Sequence, residues 1–166
     1  MESNISHEAC IFLRALQRED AQVSWHWRND AEIWKLTVSQ PDRFVTLAME
    51  EEWIDKVLAD RNRLNFAICL NETKQYIGNV YLTDINWMEK SGFQGTFIGE
   101  KSFWGKGIGT QARMLMHQIV SEEYGIKKVY SEIREENLAS IKSVIKCGFI
   151  EVKRCDGRVT FVKDLS

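Results

Sequence analysis

Gly105, Gly107 and Gly109 stand at every second position near the end of the run Phe97-Ile98-Gly99-Glu100-Lys101-Ser102-Phe103-Trp104-Gly105-Lys106-Gly107-Ile108-Gly109-Thr110. Alternating glycines remove the side chains that would keep a ligand off the backbone, and the helical pattern that begins at Ile108 puts them at a helix start. The first N–H groups of a helix have no intrahelical partners and lie at the positive end of its dipole, so the chemistry of this run is phosphate binding. The plainer alternative is a turn whose glycines only allow tight packing of helix on sheet; three of them beside a lysine favour the phosphate. No G-x-x-x-x-G-K-[ST] run occurs, which disfavours a P-loop hydrolase. Gly107-Ile108-Gly109-Thr110-Gln111-Ala112 does fit the dinucleotide fingerprint G-x-G-x-x-[GA], with Glu132 as an acid on the following strand, so a dinucleotide-binding oxidoreductase is one alternative. That site wants its first glycine directly after the strand, and here Glu100 to Lys106 intervene.

Other reactive side chains form no local set. Cys10, Cys69, Cys147 and Cys155 include no C-x-x-C pair, and His7, His26 and His117 fall in no metal-ligand spacing, so no metal is expected. No apolar leader follows Met1, and the thiols are expected to be reduced, mostly buried, in a cytoplasmic protein. The chain has 166 residues, 44% hydrophobic and 28% charged, enough for one domain over 1–166 with its core at about 10–164. A mean hydropathy of −0.33 argues against a membrane-embedded chain. A net charge of −2 supplies no field to gather nucleic acid or an anionic membrane. Small molecules or proteins are the expected partners.

The elements that must position the glycine run follow from periodicity. Residues 10–16 suit a strand, and a helix from Asp20 carries Val23, Trp27 and Trp34 among its apolar positions. A second helix is capped by Thr46, has Glu50, Glu51 and Glu52 in its first turns, and puts Met49, Trp53, Ile54, Val57 and Leu58 on one stripe. Trp25, His26, Trp27, Trp34 and Trp53 make this half aromatic, and such a stripe is expected to be core rather than pocket. Alternation at Leu64, Phe66, Ile68 and Leu70, a polar turn over 71–74 and a run from Tyr76 to Leu82 predict an antiparallel hairpin. A third extended run, Phe93 to Gly99, follows a loop holding Lys90, Ser91 and Gly92. The helix from Ile108 turns Ala112, Leu115, Met116, Ile119 and Val120 inward and stops at Gly125. Strand Lys127 to Arg134, helix Asn137 to Gly148 and a final hairpin about Asp156-Gly157 complete the order. An α/β (α+β) fold is expected, with a mixed, mostly antiparallel sheet of six to seven strands flanked by about four helices.

Taken together these residues resemble the GNAT superfamily of acetyl-coenzyme-A-dependent N-acetyltransferases. Trp104-Gly105-Lys106-Gly107-Ile108-Gly109 is similar to that family's [QR]-x-x-G-x-[GA] signature, with Trp104 in the first place. Asn137-Leu138-Ala139-Ser140 and Lys146-Cys147-Gly148-Phe149 resemble the N-x-x-[SA] helix start and K-x-G-F ending of the branch that acetylates ribosomal-protein N-termini, polyamines and nucleotide-linked amino sugars. Leu13-Arg14, Trp27-Arg28-Asn29-Asp30 and Ile77-Gly78-Asn79 extend the likeness over nearly the whole chain.

The resemblance implies acetyl-CoA as cosubstrate, held between splayed strands. Its pantetheine arm would pair with Phe97, Ile98 and Gly99, and its pyrophosphate would sit on the amides of Gly105, Lys106, Gly107, Ile108, Gly109 and Thr110. Asn137 and Ser140 would lie beside the pantetheine; Asn137 also reads as a plain helix cap, and Lys106 as a solvated charge. An amine, on a small molecule or a protein N-terminus, would attack in a ternary complex after losing its proton to a carboxylate, with Glu100 and Glu132 as the candidates. It would meet the first two helices and the loops near Asp84 to Gly92. Many members carry a tyrosine acid where this chain has Val144, which leaves Tyr124, Tyr130, water or no dedicated acid. That departure keeps open a noncatalytic acyl-coenzyme-A-binding sensor. Small members often pair, so a homodimer is among the expectations.

Overall fold

In the computed structural model, residues 10–38 and 41–165 are described; His7 and the residues after Met1 lie outside them. The chain runs through β1 (Ile11–Ala15), α1 (Ala21–Arg28), α2 (Ala31–Trp34), α3 (Leu47–Ala59), β2 (Leu64–Leu70), β3 (Tyr76–Asn86) and β4 (Ser91–Ile98). It continues through α4 (Ile108–Tyr124), β5 (Lys128–Arg134), α5 (Leu138–Lys146), β6 (Ile150–Cys155) and β7 (Arg158–Asp164). The seven strands form one sheet in the order β1-β2-β3-β4-β5-β7-β6. The last hairpin turns on Asp156 (φ 53°) and Gly157 (φ 74°), the two left-handed residues a tight two-residue turn requires.

Every neighbouring pair is antiparallel except β4 with β5. That parallel pair is short. Ser91, Gly92 and Phe93 face Lys128, Val129 and Tyr130, and beyond them the two strands no longer pair. The edge of β4 from Gln94 onward is therefore left with main-chain groups that no β5 residue satisfies. A gap opens in the middle of the sheet.

Helices cover both faces. Along β2, Ala67 and Cys69 join a cluster with Trp27, Trp34, Ile54 and Val57, while Ile68 joins the opposite one with Ile108, Ala112, Met116, Val120 and Val144. The period of two in a strand is what sends alternate residues to separate cores. Thus α1–α3 lie on one face and α4 and α5 on the other.

Three sequence expectations change. The first helix is broken, because Asn29 leaves the helical path: its Nδ2 donates to the carbonyls of Trp25 (3.0 Å) and Val45 (2.7 Å). Asp30 then caps α2 by accepting from the Glu32 N–H, which makes five α-helices among the described residues, in keeping with the expected number of about four. In α3, capped by Thr46 as expected, the buried positions are Glu50, Ile54 and Val57, while Met49 and Leu58 are exposed. The stripe is turned because the Glu50 carboxylate has partners inside. Finally, Ser91 and Gly92 lie within β4 rather than in a loop.

Candidate functional site

The gap between β4 and β5 opens into a cleft of about 790 Å³. Its walls come from both faces of the sheet: Arg28, Trp34, Trp53 and Arg63 on the helix α1–α3 side, Arg113, Asn137 and Ser140 on the α4–α5 side, with Gln94 to Phe97 and Ser131 to Arg134 between them. A ligand threaded through the gap would reach from one face to the other.

The glycine turn stands next to this cleft but does not line it. Gly105 (φ 72°) and Gly107 (φ 76°) are left-handed, and Gly107 is the N-cap of α4 with no side chain capping the helix. Open space surrounds both glycines where a Cβ would project. The N–H groups of Ile108, Gly109 and Thr110 thus face outward without intrahelical partners, as phosphate binding requires. Thr110 and Arg113 tie the turn to α5: the Thr110 hydroxyl bonds Ser143 (2.7 Å), and Arg113 donates to Ser143 and to Ser140 Oγ (3.3 Å). Lys106 is exposed, with its ammonium 5.5 Å from the Phe103 ring centroid.

The other candidates for the cofactor are brought close. Phe97 lines the cleft and packs between Trp27 and Trp34 at centroid distances of 6.0 and 5.0 Å. The Ile98 carbonyl accepts from the Trp104 indole (2.8 Å), which gives Trp104 a role in shaping the turn. Gly99 lies directly against the Trp27 indole, where any Cβ would collide. Asn137 caps α5 by accepting from the Ser140 N–H (3.2 Å) and donates to the Leu36 carbonyl (3.4 Å), so it joins α5 to the far side of the cleft.

The two candidate carboxylates separate. Glu132 is on the cleft wall, where it accepts from Arg158 (2.9 Å). Glu100 lies outside the cleft, in a shallow depression with His26 and Trp27, and accepts from the Trp27 indole (3.3 Å). Tyr124 ends α4 beside Trp87, and Tyr130 stacks on Phe93 at 5.2 Å; neither lines the cleft. Val144 is fully buried.

Several cleft residues carry charge that the helical pattern hides. Glu50, 2% exposed, accepts from Ser24 (2.8 Å) and pairs with Arg28 (3.0 Å). Arg28 lies 4.0 Å over the Trp53 ring, and Arg63 reaches the rings of Trp53 (5.8 Å) and Tyr81 (5.5 Å). Burial pushes the Arg63 guanidinium below its ordinary pKa and the Tyr81 phenol above its own. On the other face Arg113, 6% exposed, has a buried Nε without a partner, as do Gln94 Nε2 and the Thr96 hydroxyl. The signal for these was a charged or polar residue at the spacing of a buried stripe: Arg113 and His117 sit four apart on α4 beside Ala112 and Met116.

Orphaned polar groups at the wall, an uncapped helix start and a partnerless strand edge are what a long ligand with amide and phosphate groups would satisfy. Comparison with known proteins agrees in kind. The sequence profile of the acetyltransferase (GNAT) domain matches residues 11–150, and the chain belongs to that family. It is 28% identical over 155 residues to an uncharacterized protein of Methanocaldococcus jannaschii, a match covering 90% of this chain and 30% of that protein. The chain thus spans about 30% of the length of that curated relative. Among solved structures, a domain from Methanocaldococcus jannaschii superposes with a TM-score of 0.79 at 24% identity, covering 95% of this chain and 99% of that one. A spermidine N-acetyltransferase from Vibrio cholerae, in complex with CoA and spermine, superposes with a TM-score of 0.84 at 21% identity, covering 95% and 97%. At these identities the likeness shows a shared fold. Among the described residues no helix is long and apolar enough to cross a membrane, and no group of three His, Cys, Asp or Glu could hold a metal ion.

Proposed function

We propose that the chain is an N-acetyltransferase that moves an acetyl group from acetyl-coenzyme A to a primary amine by direct attack in a ternary complex. The observation that carries this reading is the gap in the sheet beyond Phe93 and Tyr130, flanked by the uncapped start of α4. Acetyl-coenzyme A would supply the acyl group as a thioester. The outward N–H groups at 108–110 would hold its phosphates, and the run Phe97 to Gly99, whose Gly99 N–H already donates to the Ile77 carbonyl, would offer its remaining gap-facing groups at Ile98 to the amides, with Asn137 and Ser140 beside them.

The acyl carbonyl needs a donor where its oxygen gains charge, and the β4 N–H groups that face the gap belong to a strand whose alternate residues are held by β3. Glu132 is the carboxylate we assign to the amine proton, because it stands on the cleft wall and Glu100 does not. Holding amine and thioester in one narrow passage supplies the rest of the advantage by proximity. A dinucleotide site gains no support from a sheet whose sole parallel pair, among the described residues, is three residues long.

Charge in the acceptor half bears on the amine. Glu50 offsets Arg28 and Asp42 offsets Arg43, whereas Arg63 makes no ion pair among the described residues. Asp60 and Asp84 act on that guanidinium without a direct ion pair, and Asp84 and Glu132 line the same cleft, so its charge leaves a protein N-terminus, an amino sugar and a polyamine all as acceptors. The test is thiol release from acetyl-coenzyme A against a panel of glucosamine, glucosamine 6-phosphate, short peptides and spermidine. Release that depends on an amine, with intersecting rather than parallel double-reciprocal lines, is the expected result. Tight coenzyme A binding without turnover on any amine would favour the sensor instead, and preferential binding of NAD would overturn both.

A further inference from the structure

Val144 is sealed in the core, Tyr124 and Tyr130 lie away from the cleft, and the cleft-lining Tyr81 stands against Gly95 on the Arg63 side, so the α4–α5 wall presents no phenol to a leaving sulfur. It presents a cation. Arg113 lines the cleft from α4, is 6% exposed, and makes no ion pair among the described residues. Its terminal nitrogens donate to the neutral hydroxyls of Ser143 and Ser140, and its Nε has no partner. A buried charge answered only by hydroxyls is costly, and it persists where something anionic is there to meet it for part of the cycle. Burial pushes this guanidinium below its ordinary pKa, yet an arginine remains protonated at neutral pH.

Its level in the molecule is fixed by its neighbours on the helix. Gly109 lies nearest Thr96, and His117 bonds Gln94 (2.6 Å), so α4 tracks back along β4 toward the point where β4 and β5 part. Arg113 falls between these two, at the throat of the gap, with Ser140 of α5 bonded to it. The throat is where a thioester must sit if its phosphates are at the glycine turn and its acyl group faces the opposite side of the sheet.

We propose that Arg113 is a catalytic residue that takes up the charge of the departing thiolate in place of an acid. This rests on the acetyltransferase reading. As the amine nitrogen forms its bond to the carbonyl carbon, the C–S bond breaks and its electron pair stays on sulfur. The amine's surplus proton leaves through the carboxylate, and the sulfur anion, which receives no proton from the protein, is neutralised by the adjacent guanidinium. A cation within a few ångströms makes a thiol more acidic and hence a better leaving group.

The experiment is an ultraviolet titration of the thiol of bound coenzyme A, in the parent and in Arg113→Met, Arg113→Gln and Arg113→Lys, with binding measured by calorimetry. In the parent the bound thiol should titrate about one to three pH units below free coenzyme A. That shift should vanish in R113M and R113Q and persist in R113K. An unshifted thiol in the parent, or a shift that survives in R113M or R113Q, would overturn the proposal. So would a loss of coenzyme A affinity in R113M with the thiol shift intact, because Arg113 would then hold another part of the ligand. Should R113M and R113Q not fold, an unshifted thiol in the parent still overturns the proposal, and Arg113→Ala and Arg113→Leu take their place in testing a shifted one. If the parent fails to bind coenzyme A, the acetyltransferase reading falls; if it binds and turns over with an unshifted thiol, only the role of Arg113 does.

Discussion

Glu100 and Glu132 are alike in the sequence, each an acid at a strand, and only the fold distinguishes them. Glu132 faces the cleft while Glu100 is held under the Trp27 indole. With Glu132 as base, E132Q should lower kcat/KM about 100-fold or more at neutral pH. The loss should shrink as pH rises and solvent removes the amine proton. E100Q, whose amide oxygen can still accept from Trp27, should keep nearly the parent rate. Steady-state kinetics of both variants from pH 6 to 9 are the check, and near-parent activity of E132Q throughout would remove that assignment. The same scale marks the limit of legibility. The glycine turn is open to view because glycines at a fixed spacing have few other uses, whereas the charges of Glu50 and Arg113 on buried helix faces, and of Arg63 ahead of β2, name no role by themselves. A charged residue on a buried stripe reads as an interruption until its partner, far off in sequence, is known.

Helices and strands were largely legible, and the exceptions have one cause. The αL cap at Gly125, the Thr46 and Asn137 caps and the Asp156-Gly157 hairpin are local chemistry and fall where the sequence puts them. The break at Asn29 and the turned face of α3 depend on tertiary bonds, Asn29 to Val45 and Glu50 to Arg28 and Ser24. Glu50→Ala would leave Arg28 half-buried without its carboxylate, at a cost of about 3 kcal/mol. For a chain of this size that lowers Tm by roughly 6–12 °C, measurable by calorimetry, and an unchanged Tm would show the pair to be idle. At the start of α4 the opposite balance holds. Gly107→Val puts a branched side chain at φ 76° but into open space, so circular dichroism should show the fold retained. Coenzyme A should bind about tenfold or more weakly, because the strained turn no longer aims its amides. Undiminished affinity would place the phosphates elsewhere.

At the scale of the whole molecule, the gap that makes the cleft also removes the pairing that would join β4 to the far half of the sheet. His117 is one of the links that remain. From α4 it bonds Gln94 of β4 (2.6 Å) and meets Lys163 of β7 (3.3 Å), so it spans the opening. Lysine is only a donor, so Nδ1 accepts from it and Nε2 carries the proton given to Gln94 Oε1. Burial first, and then the charges of Lys163 and Arg113, push the His117 pKa down from 6.5 to about 3. The folded chain therefore holds this ring neutral through a range in which the unfolded chain protonates it. Above pH 6.5 both states are neutral and nothing is lost. Between 6.5 and about 3 the unfolded state binds the extra proton, and stability falls by up to about 1.4 kcal/mol for each pH unit. Urea midpoints from pH 7.5 to 4 should decline in the parent and decline less in His117→Gln, whose side chain cannot be protonated. Carboxylates contribute the same slope to both proteins, so the difference between the two curves belongs to His117. Parallel curves would mean that the ring opens to water before it charges, and that the two halves of the sheet are held together across the cleft by other contacts.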